Sequence, residues 1–186
     1  HALKKEIDTS DAMYMLHVCG KYMYKLRLEI EKVAAYARGA RITKSDIDAV
    51  CMPVLDAVIY NMTDAVVEQR YSEAIALMRD LIRMKNDPTL ILAALGKQLR
   101  RLFYTQKIMR SGNPESFIRN QLDIKYPFLV SKTVGSARRL SEKWCAEALK
   151  LCAECDHKMK TSGGDREVLL ELLLLNLSSL HEQQAG

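Results

Sequence analysis

The sequence predicts an all-α protein, and three observations carry that prediction. Glycine and proline are scarce, 8 and 4 in 186 residues. The apolar residues are mainly Leu, Ala, Met and Ile rather than alternating Val and Thr, which favours helix. No run of period-two alternation marks a strand, whereas Asp87–Gly112 sorts into two chemically opposed sides at about 100° per residue. The length suffices for one large or two small domains with a buried core.

Taken in order, Ser10 or Asp11 can cap a first helix that runs to about Cys19, where Gly20 breaks it. A second runs from about Met23 to Ala37. It has Leu26, Ile30, Val33 and Ala37 on one face, Glu29, Lys32 and Arg38 outside it, and Gly39 to close it. Thr43-Lys44-Ser45-Asp46 resembles a capping box and starts a short helix, Lys44–Val50. Pro53 marks a boundary. Beyond it, Val54–Gln69 and Ser72–Met84 read as a helical hairpin around Arg70-Tyr71.

The long amphipathic helix follows, with Asp87 as cap, Pro88 at the first helical position and Gly112 at its end. Leu92, Leu95, Leu99, Leu102, Phe103 and Met109 form its apolar side. Lys97, Arg100, Arg101, Tyr104 and Lys107 form its cationic side. Asn113-Pro114 opens a short helix through about Leu122, and Tyr126-Pro127 breaks the chain again. Helices follow at Phe128–Arg139 and at Ser141–Lys160, then a loop at Thr161–Gly164, then a helix capped by Asp165 and running to about Leu180. That last helix is apolar on nearly every side, through Val168, Leu169, Leu170, Leu172 to Leu175 and Leu177, and is expected to be buried all round. The tail His181–Gly186 is expected to fray.

Charge is unevenly placed. The net charge is +5, but between Lys97 and Lys143 11 Lys or Arg face only Glu115, Asp123 and Glu142. Such a segment suits phosphates or an acidic protein surface. The five cysteines (19, 51, 145, 152 and 155) are odd in number and irregularly spaced, with no signal peptide, which fits a reducing compartment and a cytoplasmic protein. No apolar run reaches the roughly 18 residues that cross a membrane. The start at His1-Ala2-Leu3, without Met, suggests a fragment or a processed chain.

Little here supports an enzyme. Gly96-Lys97 lacks the earlier Gly and the following Ser or Thr of a phosphate-binding loop, and the four His (1, 17, 157, 181) lack partners at telling spacing. Cys145, Cys152, Cys155 and His157 superficially resemble a metal set. In a helix, however, the thiols share one stripe while His157 lies about 120° away, so buried packing is the simpler reading. No cofactor or metal is expected. Glu29/Lys32 and Asp156/Lys160 have helical ion-pair spacing, and Trp144 and Tyr36 are read as core.

The motifs also resemble, in order, a known family. Leu28-Glu29-Ile30-Glu31-Lys32-Val33, then Ile42-Thr43 and a short helix, is similar to the lid-domain end of the delta subunit of bacterial DNA polymerase III. That family shows a NELEKL-like helix followed by an "IT" helix start, and Leu28 here replaces the usual Asn. Ala65 with Ala74-Ile75-Ala76-Leu77 and Leu81 resembles its helical hairpin. Asp87-Pro88 through Gln98-Leu99-Arg100-Arg101-Leu102, with Lys107, resembles its "dP..il..l..qlR.L" helix. Ala137-Arg138 with Ser141, and Asp156 through Lys160-Thr161 with Asp165, resemble its later turns and closing helix.

The resemblance implies a lid-plus-collar fragment, with AAA+-type lid helices at 1–52 and a helical collar at 53–186. The clamp-gripping N-terminal domain would precede His1. It further implies a non-catalytic part of the clamp loader. Its collar would pack beside those of gamma/tau and delta-prime, and the sliding clamp would be reached only through the N-terminal domain. Glu29, Lys32 and Asp156 would be structural motif residues. Lys97, Arg100, Arg101, Lys107, Lys158 and Lys160, the last two in a loop, would face primed DNA or an acidic neighbour. The apolar sides of Ile91–Met109 and Val168–Leu177 would build the collar core, and their polar flanks would meet neighbours. The competing readings are another loader subunit, a free-standing nucleic-acid-binding module using the Lys97–Lys107 face, and a small enzyme or metal protein on Cys145–His157.

Overall fold

The computed structural model describes residues 5–185. Their contacts divide the chain into two units, 1–57 and 58–186.

The first unit contains helices α1 (Thr9–Cys19), α2 (Met23–Tyr36) and α3 (Lys44–Val50), which pack on one another. Its core gathers Met15, Val18, Cys19, Val33, Ala34, Ala37, Ile42, Ile47 and Cys51. The all-helical expectation needs one amendment. β1 (Glu6–Ile7) and β2 (Arg41–Ile42) pair in parallel. Two residues are too few to show alternation in sequence. The pair is held from outside: Lys5 Nζ donates to the carbonyls of Ala37 and Gly39 at 2.6 and 2.5 Å, and Arg41 donates to Asp8 at 3.1 Å.

Asp8, rather than Ser10 or Asp11, occupies the cap position of α1, its carboxylate being engaged by Arg41. Gly20 ends that helix at φ 79°, where a Cβ would also meet Val54 Cγ1 at 3.2 Å. α2 stops at Tyr36 because Ala37 turns extended, ahead of Gly39. Tyr36 is 54% exposed, not core, because Val33, Ala34 and Ala37 fill the buried side of that helix end. The capping box of α3 is complete: Asp46 N–H donates to Thr43 Oγ1 at 3.4 Å, and Thr43 N–H to Asp46 Oδ2 at 2.9 Å.

Helix α4 (Leu55–Val67) leads into the second unit, with α5 (Tyr71–Arg83), α6 (Pro88–Arg110), α7 (Glu115–Gln121), α8 (Pro127–Arg138), α9 (Glu142–Thr161) and α10 (Arg166–Ala185). α6 is the central element and packs on α8 and α9. α10 lies against α9, α5 and α6. Asp87 Oδ1 accepts Thr89 N–H at 2.7 Å with Pro88 in the first turn, Ser141 Oγ accepts Trp144 N–H at 2.9 Å, and Asp165 Oδ1 accepts Glu167 N–H at 2.8 Å.

Leu92, Leu95, Leu99 and Leu102 of α6 are buried as the period requires. A second cluster joins Tyr60, Ile118, Ile124, Leu129, Val130 and Val134. Buried Gln106 donates to the carbonyls of Ala137 and Leu140 at 2.9 and 2.5 Å, fixing the turn after α8. α10 does not fray at His181 but runs on to Ala185. Among the described residues no single helix is long and apolar enough to cross a membrane.

Candidate functional site

Two surfaces of the second unit are candidates, and local chemistry builds each. The first is the basic side of α6. Lys97 and Arg100 are exposed, and among the described residues no hydrogen bond or ion pair engages either. Tyr104, 48% exposed, lies on the same side. The other two basic residues of this face are engaged. Arg101 donates to the Tyr60 hydroxyl at 2.8 Å and to the Asp123 carbonyl at 3.2 Å. Lys107 pairs with Glu142, which also takes Arg110, and it sits 5.4 Å above the Phe103 ring. The hydrogen bond from Lys107 holds the Glu142 carboxyl below the usual carboxylate range.

The basic excess of the middle segment is therefore partly absorbed inside the unit. A groove of about 430 Å³ takes two more of its cations, with Lys132 on Asp64 at 2.5 Å and Arg139 on Glu68 at 3.0 Å. Lys158 and Lys160 stand on the last turn of α9 rather than in a loop, because the helix extends to Thr161. Lys160 is tied to Asp156 at 2.6 Å, while Lys158 is exposed. Among the described residues the basic candidates share no common partner.

The second surface was hidden in the expectation that α10 is buried all round. Leu170, Leu173, Leu174 and Leu177 are buried, but Val168, Leu172 and Leu175 are 53%, 48% and 47% exposed. At about 100° per residue the two sets lie on opposite sides of the helix. One stripe packs inside the unit against its neighbouring helices. The other meets solvent beside a small groove whose lining includes Leu151, Cys155, Lys158 and Leu172. Exposed apolar ridges of this kind mark interaction surfaces. The signal in the sequence was the excess of leucine, more than one helix face can bury in a domain this small.

The thiols of Cys145, Cys152 and Cys155 are buried, and His157 is exposed across the helix. Burial pushes the Cys145 and Cys152 thiols up to about 12. Trp144 is buried as expected. It stacks on His181 at 4.4 Å, a pairing that spacing alone did not suggest.

In the first unit Glu29 is not outside the apolar face but buried, 7% exposed. It pairs with Lys32 at 2.7 Å and accepts Met52 N–H at 3.2 Å. Burial pushes its carboxyl up, but the bonds from Lys32 and Met52 outweigh that and hold it below its ordinary value.

Comparisons with known proteins agree with this architecture. The family described as DNA polymerase III delta subunit, C-terminal domain, matches residues 56–177. A DNA polymerase III subunit delta of Bacillus subtilis (strain 168) is 25% identical over 181 residues, which is 97% of this chain and 52% of that protein. Among solved structures, the Bacillus subtilis DNA clamp loader delta protein is similar with a TM-score of 0.76 at 25% identity, over 96% of this chain and 52% of that one. The chain thus spans about half the length of the relatives it matches. With a family match over most of its residues and a fold shared with a clamp-loader protein, the chain belongs to the DNA polymerase III delta-subunit family.

Proposed function

We propose that this chain is the lid-and-collar part of a clamp-loader delta subunit that acts in bacterial DNA replication. Residues 1–52 end an AAA+-type lid, and residues 53–186 form a collar that packs beside the collars of the gamma/tau and delta-prime subunits. The observation that carries the reading is the second apolar stripe of α10, Val168, Leu172 and Leu175, opposite the stripe that packs inside the unit. A neighbouring helix laid on this ridge would remove three large side chains from water, each contributing up to about 1.5 kcal/mol at half exposure.

The role is mechanical rather than catalytic. The collar holds subunits in register while polymerase chemistry, ATP hydrolysis and clamp gripping reside elsewhere, the last in the domain that precedes the lid. Lys97, Arg100 and Lys158 are the candidate basic residues left to face primed DNA or an acidic neighbour in the assembly. A cytoplasmic setting follows from this role. The reading of a free-standing nucleic-acid-binding module is weaker, because Arg101 and Lys107 are already engaged.

The test is to mix the chain with separately made gamma/tau and delta-prime subunits and weigh the products by size-exclusion chromatography with light scattering. A complex containing one copy of the chain is expected, and Leu172→Glu with Leu175→Glu should abolish it. No complex at micromolar concentrations, or one indifferent to those substitutions, overturns the assignment of the ridge.

A further inference from the structure

The first unit brings together three side chains that no sequence spacing links. Cys19 is the last residue of α1, Glu29 lies within α2, and Cys51 caps the end of α3. Both sulfurs and a Glu29 carboxylate oxygen lie within 4.8 Å of one another. Their relative exposures are 0%, 7% and 9% for Cys19, Glu29 and Cys51, so three converging helices hold the donors out of bulk water. No other such group of three His, Cys, Asp or Glu donors occurs among the described residues.

We propose that Cys19, Glu29 and Cys51 form a binding site for a thiophilic divalent cation of the zinc class, with Lys32 as the outer charge partner of Glu29. Three arguments support it. The donor set of two thiols and one carboxylate selects zinc-like ions over magnesium or calcium, which prefer all-oxygen shells. Three protein ligands leave one tetrahedral position for water, as in zinc sites that keep an open position.

Charge is the third argument. Two thiolates and a carboxylate carry three negative charges, and the Lys32 ammonium, 2.7 Å from Glu29, offsets one. A divalent ion neutralises the remaining two. Binding releases both thiol protons to solvent and involves no redox change. Bonds of about 2.0–2.3 Å place tetrahedral donors roughly 3.5 Å from one another, inside the limit within which all three donors already lie.

This cluster differs from the Cys145, Cys152 and Cys155 stripe, whose thiols come from a single helix. The metal joins three helices and therefore stabilises the unit it closes.

Cobalt(II) is the probe. Titrated into the full chain, it should give a thiolate-to-cobalt charge-transfer band that saturates at one equivalent and is bleached by added zinc. The band should fall by about half in Cys51→Ser and vanish in Cys19→Ser with Cys51→Ser. It should be unchanged in the triple Cys145→Ser, Cys152→Ser, Cys155→Ser variant. Circular dichroism checks that each variant folds. Where one does not, pulse alkylation of the wild-type chain in urea just below its transition gives the answer. Zinc should then slow labelling at Cys19 and Cys51 at least tenfold and leave the other three unchanged. No band at one equivalent, a band that survives the double substitution, or zinc protection spread over all five cysteines overturns the site.

Discussion

His181 ties the end of α10 into the second unit through contacts of two kinds. Its ring stacks on Trp144 at 4.4 Å, and its Nδ1 shares a hydrogen bond with the Tyr71 hydroxyl, which also donates to the Leu177 carbonyl at 2.8 Å. Burial penalises the imidazolium and holds the His181 pKa below its ordinary 6.5. The folded state therefore binds fewer protons than the unfolded state between those two values. The stabilisation is complete above about pH 6.5 and is lost as the pH falls through the folded value. His181→Phe keeps a ring on Trp144 but removes the titration. The wild-type melting temperature should fall more steeply than that of the variant between about pH 7.5 and about pH 5, a window in which histidine changes charge. Equal slopes in melts followed by circular dichroism would show that protonation of His181 is not coupled to folding. At this scale sequence was a partial guide. Trp144 was legible as core from its size, but its partner at position 181 was not, because a stack between helices leaves no periodic trace. The burial of Glu29 leaves no trace in the periodicity for a related reason. Its angular position is polar, but the loop after α3 folds over it and supplies the Met52 N–H that makes its burial tolerable.

Whole elements were easier to read than their surroundings. α3 begins and ends where its capping box and apolar content put it, and α6 runs from Pro88 to Arg110 between Asp87 and Gly112. Caps and 3.6-residue periods are local chemistry, so a single sequence displays them. What escaped was which of two apolar sides of a helix has a partner. α10 carries leucine on opposite sides, and nothing in its own sequence distinguishes the stripe that meets α9, α5 and α6 from the one that meets solvent. Two substitutions three residues or fewer apart separate them. Leu174→Ala, at a site 1% exposed, should cost about 3 kcal/mol in urea denaturation of the isolated chain. Leu172→Gln, at a site 48% exposed, should change that stability by no more than about 0.5 kcal/mol. In assembly with neighbouring subunits the order should reverse, with Leu172→Gln weakening the complex and folded Leu174→Ala leaving it largely intact. A Leu172→Gln chain as destabilised as Leu174→Ala would mean that this stripe is already used within the unit.

For the molecule as a whole, the division of contacts at Ala57 and Val58 falls inside the first turn of α4, just beyond the break at Pro53. Cutting between 57 and 58 would destroy a helix start, whereas cutting before Leu55 keeps α4 and the whole second unit. The resulting fragment, about 130 residues, exceeds the size at which a single hydrophobic core sustains folding. It contains the Tyr60–Val134 cluster, the Gln106 bonds to Ala137 and Leu140, and the Trp144–His181 stack. Residues 55–186 alone should therefore unfold in one cooperative urea transition, with the helicity that α4 to α10 require. The same fragment should still join gamma/tau and delta-prime if the α10 ridge is the surface that recruits them. A dye-binding fragment with helical circular dichroism but no cooperative transition would be molten. That result would make the first unit a requirement for folding rather than a separate part. A fragment that folds but stays alone in the sizing column would move the recruiting surface to the first unit, where Tyr22, Met23 and Tyr24 are 81%, 78% and 72% exposed.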